Sequence, residues 1–174
     1  DYSVKQKEYK HTAVILACER DHHKVVEFLL QKDPKQLHET NKYGKGPVIV
    51  ACEFGSVNTV KWMFPIESEE GSKHKVDANS KRQEKHITAL MYSCFNSDEH
   101  YEILERLLEK EADPLEGPPE GKYYSSPLLW AATHGSLKAV ERLLGCEGVK
   151  ETIDNCSGEE SGNGNCTPFM IACT

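Results

Sequence analysis

Residues 126–132 read SPLLWAA, and close variants of this stretch occur at four other places in the chain of 174 residues. The other copies read TAVILAC at 12–18, GPVIVAC at 46–52, TALMYSC at 88–94 and TPFMIAC at 167–173. The first residues of consecutive copies, counting all five, are 34 to 42 positions apart. This period is typical of arrays in which one supersecondary unit repeats. The sequence therefore predicts a repeat protein whose differences in unit length are absorbed by loops.

A second apolar stretch follows each of the first four copies. In the fourth unit, Leu137, Val140, Leu143 and Leu144 recur at the spacing of one helical face. The corresponding stretches read VVEFLL at 25–30, VNTVKWMF at 57–64 and ILERLL at 103–108. Each unit is therefore predicted to fold as two short antiparallel helices.

Cap and turn residues recur in the same register. Each first helix is preceded by a hydroxyl residue or a glycine: Thr12, Gly46, Thr88, Ser126 and Thr167. A hydroxyl oxygen can accept a hydrogen bond from a free amide of the first turn. Proline follows at three of the first helical positions, where its missing N–H costs nothing: Pro47, Pro127 and Pro168. Gly55 and Gly135 are predicted to end the first helix in a left-handed conformation, and Asp21 takes that place in the first unit.

These residues resemble the ankyrin repeat family, whose pattern reads TPLHxAA, a glycine turn and then a VVxLLL helix. The best local match runs from Ser126 to Leu144, and EKEAD at 109–113 is similar to the family's closing Gly-Ala-Asp. The resemblance covers nearly the whole chain and implies an all-α ankyrin-repeat solenoid of stacked helix-turn-helix units with finger loops. An apolar residue replaces the family's histidine in every unit, so a polar link between turns is expected to be missing: Ile15, Ile49, Met91, Leu129 and Met170.

The units are assigned to a single ankyrin-repeat domain, 1–174. Their approximate bounds are 9–40, 41–80, 81–122 and 123–154, with a partial fifth unit at 163–174. The chain begins at Asp1 and ends at Thr174 within an apolar periodic segment, so we expect it to be a piece of a longer protein. Long connectors at 65–75, 114–122 and 146–165 lie where the family carries its fingers, and they are either tolerated insertions or partner contacts.

Charge and hydropathy argue against several classes of function. The net charge is −7, whereas binding to nucleic-acid phosphates or anionic lipid needs a concentrated basic face. No apolar run approaches the roughly 18 residues that a membrane span needs. We therefore expect no direct nucleic-acid binding and no membrane insertion by this segment. The expected partner is another protein or a peptide segment, and the oligomeric state is left open.

The cysteines give no sign of a metal site. Four of the seven occupy one repeat position on the first helix, where packing explains them: Cys18, Cys52, Cys94 and Cys173. The other three lack the paired spacing of a zinc site. Free buried thiols indicate a reducing compartment, so we expect the protein to be intracellular, in the cytoplasm or the nucleus.

No set of residues points to catalysis. The sequence contains no GxSxG, phosphate-binding loop, HExxH or dinucleotide fingerprint. His22, His23 and Glu27 share a helix face, but polar residues there are explained by solvation of the second helix. We therefore expect no enzymatic activity, no cofactor and no bound metal.

The register places aromatic and basic side chains in a row along the fingers and the ends of the first helices. We call this set the predicted row: Tyr9, Arg20, Tyr43, Phe54, Phe95, Tyr123 and His134. The resemblance implies that a concave face made of these parts binds partners, and such residue types are enriched in interfaces. We therefore predict a protein–protein interaction module. The alternative for the tyrosines is that they brace one finger against the next.

A structural role is the alternative function. Uneven unit lengths and the apolar replacements of the family histidine fit a cytosolic assembly array within a larger protein. Such an array is similar to the ankyrin regions of transient-receptor-potential-type channels, in which repeats contact their own chain.

Overall fold

The computed structural model describes residues 11–65, 76–82, 86–117 and 126–152. Within these ranges it contains eight α-helices in four helix-turn-helix pairs. The pairs are α1 Ala13–Glu19 with α2 His23–Lys32, α3 Pro47–Glu53 with α4 Val57–Met63, α5 Ala89–Tyr92 with α6 Asp98–Glu109, and α7 Pro127–Thr133 with α8 Leu137–Leu144. Two 3-10 helices, Pro34–His38 and Lys150–Thr152, follow the first and last of these pairs.

The helices stack in two layers. The first helices of the pairs, here called inner helices, pack in the order α1, α3, α5 and α7, and the second or outer helices pack in the order α2, α4, α6 and α8. One continuous apolar core runs between the layers and includes Ile49, Leu90 and Leu104. The predicted all-α solenoid is therefore confirmed.

Hydroxyl caps begin three of the inner helices as the sequence predicts. The hydroxyl oxygens of Thr12, Thr88 and Ser126 accept hydrogen bonds at 3.1 to 3.2 Å from the amide three residues further on. Gly46 offers no side chain to α3, and Pro47 follows it at the first helical position. These local bonds fix where each inner helix starts.

The turns between the helices also follow the prediction. Gly55 and Gly135 have φ angles of 69° and 66°, and Asp21 adopts the same left-handed conformation with a φ of 55°. Asp21 uses that position to reach the next pair: its carboxylate accepts hydrogen bonds from the Thr59 amide at 2.7 Å and the Asn58 amide at 3.2 Å. Asp21 therefore caps the N-terminus of α4 from the preceding turn.

The third pair departs from the predicted register. The predicted row places Phe95 at the end of the inner helix of this pair. Instead α5 ends at Tyr92, and Ser97 caps an outer helix that takes Asp98 and Glu99 into its first turn. Acidic residues are favoured in the first turn of a helix. The segment between α5 and α6 also contains no glycine that could adopt a left-handed conformation. The placement of Phe95 at a helix end was wrong, because Phe95 lies in the turn.

The residues that replace the family's histidine lie in the apolar core. Ile15, Ile49, Met91 and Leu129 are at most 2% exposed, while Met170 lies outside the described residues. A polar link between pairs is supplied elsewhere, because the Ser56 hydroxyl donates a hydrogen bond of 2.5 Å to the Cys18 carbonyl. The stack therefore keeps a buried polar tie without the histidine.

Thr59 offers a test of how the stack is packed. This residue is fully buried, and its hydroxyl has no hydrogen-bond partner among the described residues. We expect Thr59→Val to raise the free energy of unfolding by about 1 kcal/mol, because valine keeps the shape and removes an unsatisfied polar group. Urea denaturation measures this. Thr59→Ala, which leaves a cavity, should destabilise instead, and a loss of stability in Thr59→Val would contradict the expectation.

The cysteines at the shared repeat position are buried, as predicted. Cys18, Cys52 and Cys94 are free thiols with no exposed surface, and Cys173 lies outside the described residues. Burial raises the pKa of the Cys18 thiol from 9.0 to about 12, and the nearby Asp21 carboxylate adds to this. Burial also raises the thiol pKa of Cys52 and Cys94. Protonated, enclosed thiols are inert packing groups.

A pH dependence follows from these raised thiol pKa values. Above pH 9 the unfolded chain loses thiol protons that the folded chain keeps up to about pH 12, so the unfolded state binds fewer protons and stability falls with pH. We expect the stability of Cys18→Ala to fall less steeply with pH in this window. Alanine is a suitable replacement because it already stands at the equivalent position 132. Urea midpoints measured below pH 9 and within the window for both proteins check this. Parallel curves would refute it.

Candidate functional site

A tight finger precedes α3 and projects Tyr43 towards solvent. The Asn41 side-chain oxygen accepts hydrogen bonds from the amides of Tyr43 at 2.9 Å and Lys45 at 3.1 Å, and Gly44 has a φ of 69° that closes the turn. The neighbouring finger supports it, because the Arg82 side chain donates a hydrogen bond of 2.6 Å to the Tyr43 carbonyl. The backbone of Tyr43 is thus held while its side chain is 42% exposed.

A cleft of about 120 Å³ lies between this finger and the inner helices α1 and α3. Its lining residues are His11, Ile15, Glu19, Asn41, Tyr43, Lys45, Val50, Glu53 and Phe54. Ile15 and Val50 form part of the wall but are almost fully buried, so Tyr43 and Phe54 supply the exposed aromatic surface at the cleft. Small-molecule sites are typically about 300 to 1,000 Å³, so this cleft suits a single amino-acid side chain.

The charges of the cleft are unevenly paired. The Lys45 ammonium lies 2.5 Å from a Glu53 carboxylate oxygen and 5.1 Å from the centre of the Tyr92 ring. No ion-pair partner of Glu19 lies within the described ranges. The lining therefore holds two carboxylates, Glu19 and Glu53, and one ammonium group, Lys45. Lys45 offsets the charge of Glu53 and leaves that of Glu19.

Further along the inner layer, aromatic side chains pack on each other. The rings of Phe95 and His134 meet edge to face with centres 4.5 Å apart. His134 also stacks on Trp130 at 5.3 Å, and Trp130 contacts Tyr92 edge to face at 5.9 Å. Phe95 and His134 are half-buried in this aromatic cluster, so their rings join the third pair to the fourth.

The predicted row is therefore divided by the structure. Tyr43 and Phe54 meet at the cleft, Phe95 and His134 pack in the aromatic cluster, and exposed Arg20 ends α1. Two members, Tyr9 and Tyr123, lie outside the described residues. Sequence reasoning missed the ion pair in the cleft, although a basic residue in the finger and an acidic residue at the end of the next helix were visible signals: Lys45 and Glu53.

A comparison with family models decides the identification. The model described as ankyrin repeats (3 copies) matches residues 1–73, 38–117 and 69–155. The chain belongs to the ankyrin repeat family. No curated protein shows significant similarity to it. Ankyrin repeats are generally protein–protein interaction modules and typically non-enzymatic.

The described part of the ankyrin stack holds neither a cluster of metal-binding groups nor a membrane-spanning helix. Across the described ranges, no three His, Cys, Asp or Glu side chains converge as metal ligands would. Over the same ranges, every helix is too short or too polar to cross a membrane. Glu27, which the sequence placed near His22 and His23, accepts a hydrogen bond of 3.4 Å from Gln31 on the same helix.

Proposed function

We propose that this ankyrin stack binds a segment of another protein across its fingers and inner helices, with the cleft at Tyr43 and Phe54 as the centre of contact. The observation that carries the proposal is the exposure of these aromatic side chains, 42% and 53%, in the lining of a cleft the size of one side chain. Exposed aromatic residues beside a pocket are the usual anchors of protein interfaces.

The remaining members of the predicted row extend this surface. Arg20 is exposed next to the cleft at the end of α1. Phe95 and His134 present partly exposed edges of the aromatic cluster further along the stack. Tyr9 and Tyr123 remain part of the proposal from the sequence register alone. Free buried thiols in the described ranges support an intracellular location, in the cytoplasm or the nucleus.

A specific observation favours the second candidate, an assembly array. Val25 on α2 is 47% exposed, whereas the equivalent residues of the next three pairs are fully or almost fully buried against the preceding pair: Thr59, Ile103 and Ala139. Leu16 on α1 is half-buried, whereas its equivalents are at most 8% exposed: Val50, Tyr92 and Trp130. Phe28, one turn from Val25, is 58% exposed. We call the apolar surface formed by Leu16, Val25 and Phe28 the open stacking face; a further helix pair packed there would bury it.

Photo-crosslinking from matched positions separates the two candidates. Phe54→benzoylphenylalanine places the crosslinker at the cleft, and Phe28→benzoylphenylalanine places it on the open stacking face, from a residue of the same type and similar exposure. Glu141→benzoylphenylalanine, at an exposed position on α8, is the background control. We expect a specific adduct from position 54. An adduct from position 28 alone would favour the assembly array instead.

A further inference from the structure

Resting on the proposed function, we infer that the cleft at Tyr43 and Phe54 receives a cationic side chain, arginine or lysine, from the bound protein. The cleft combines the exposed rings of Tyr43 and Phe54 with a half-buried carboxylate at Glu19. Arginine and lysine have the matching parts, because an aliphatic stem packs on apolar surface while the charged head stays with polar groups.

The electrostatics of the cleft select the sign of the charge. Glu53 is already paired with Lys45 at 2.5 Å, and Glu19 has no such partner in the described part of the chain. Three further positive charges lie near the cleft without lining it. Arg20 is exposed at the helix end, Arg82 is bonded to the Tyr43 carbonyl, and Lys42 lies over the Tyr43 ring. With a net charge of −7 on the chain, the long-range field also favours cationic ligands.

The aromatic rings in this region already bind ammonium groups within the chain. The Lys42 ammonium lies 5.1 Å from the centre of the Tyr43 ring, and the Lys45 ammonium lies 5.1 Å from the centre of the Tyr92 ring. A cation over an aromatic face is attracted by the ring quadrupole. The exposed Phe54 ring offers a further aromatic surface for an arriving guanidinium or ammonium.

Other side chains fit the cleft less well. A carboxylate would approach Glu19, whose charge Lys45 does not offset, with like charge. An uncharged aliphatic side chain would cover Glu19 and remove water from a carboxylate without providing a partner, which costs free energy. A cleft of about 120 Å³ has room for one side chain, so it contacts one residue of the bound segment.

The test uses defined probes on the whole chain. We would titrate N-acetyl-arginine amide into isotope-labelled protein, with N-acetyl-norleucine amide as a probe that has an aliphatic stem and no charge. The arginine probe should shift amide resonances around Ile15, Glu19, Tyr43 and Phe54, and norleucine should shift them much less. Glu19→Gln should weaken arginine binding by about three- to tenfold, whereas Glu141→Gln on the exposed outer helix should not.

Specific outcomes overturn the inference. An equal response to norleucine, an unchanged affinity in Glu19→Gln, or no localised shift with arginine would each do so. These failures are distinct from a failure of the proposed function. If crosslinks still form from position 54, the cleft binds a protein segment but does not select a cation.

Discussion

Replacing Leu104 with alanine lowers the free energy of unfolding by about 2 to 5 kcal/mol. Leu104 is fully buried on α6, an outer helix that packs against both α4 and α8. Its truncation removes apolar contacts and leaves a cavity between stacked pairs. Because small domains are stable by only about 5 to 15 kcal/mol, the variant should unfold at a much lower urea concentration.

Leu137→Ala is the matched control for this change. Leu137 begins α8 and is 67% exposed, so the same truncation should cost about 0.5 kcal/mol or less. Urea denaturation followed by circular dichroism measures both variants. Equal losses in the two variants would show that the apolar layer between the helices is not what stabilises the stack.

Asp21→Ala is expected to cost about 2 kcal/mol, at the upper end of losses from removing a helix cap. The Asp21 carboxylate accepts hydrogen bonds from the Thr59 amide and from the Asn58 amide and side chain, at 2.7, 3.2 and 2.7 Å. Bonds to a carboxylate are stronger than neutral ones, and here they join consecutive pairs. Alanine loses all of these bonds and keeps the left-handed backbone.

Two further variants separate the cap from the backbone conformation of Asp21. Asp21→Gly relieves the left-handed φ of 55° but still loses the cap, so it should fall between alanine and wild type. Asp21→Asn keeps one oxygen acceptor and tolerates the same φ, so it should lose least. If glycine proves as stable as wild type, the backbone conformation and not the carboxylate decides the stability of this turn.

The outer helices are also joined by ion pairs, but these contribute less. Lys61 lies 2.5 Å from Glu102, and Arg142 lies 2.9 Å from Glu105. The side chains of Lys61 and Glu102 are about half exposed, and those of Arg142 and Glu105 are about one third exposed. Surface ion pairs contribute between about 0 and 1 kcal/mol, so buried packing and the Asp21 cap are the stronger ties between repeats.

The local features of the fold could be predicted because they are encoded within single units. Thr12, Thr88 and Ser126 cap helices through bonds that span three residues, and Gly55 and Gly135 supply conformations that few other residues adopt. A pattern repeated five times makes each such signal stronger. The register of buried and exposed positions followed directly from it.

The remaining features depend on contacts between units, which periodicity does not contain. α5 is short because Ser97 begins α6 one residue early in the register and because the third pair has no glycine turn. The packing of Phe95 on His134 joins residues of different units. The exposure of Val25 also depends on contacts between units, since the equivalent residue Thr59 is fully buried.

The most direct test of the central claim is a pull-down from lysate with three proteins of equal helicity by circular dichroism. They are the wild type, a Tyr43→Ala/Phe54→Ala variant of the cleft, and a Val25→Ala/Phe28→Ala variant that removes similar exposed apolar area elsewhere. We predict that a partner is retained by the wild type and the Val25/Phe28 variant and lost by the cleft variant, since each cleft residue should contribute more than about 1 kcal/mol. Retention by the cleft variant, with loss from the Val25/Phe28 variant, would contradict the account and place binding on the open stacking face.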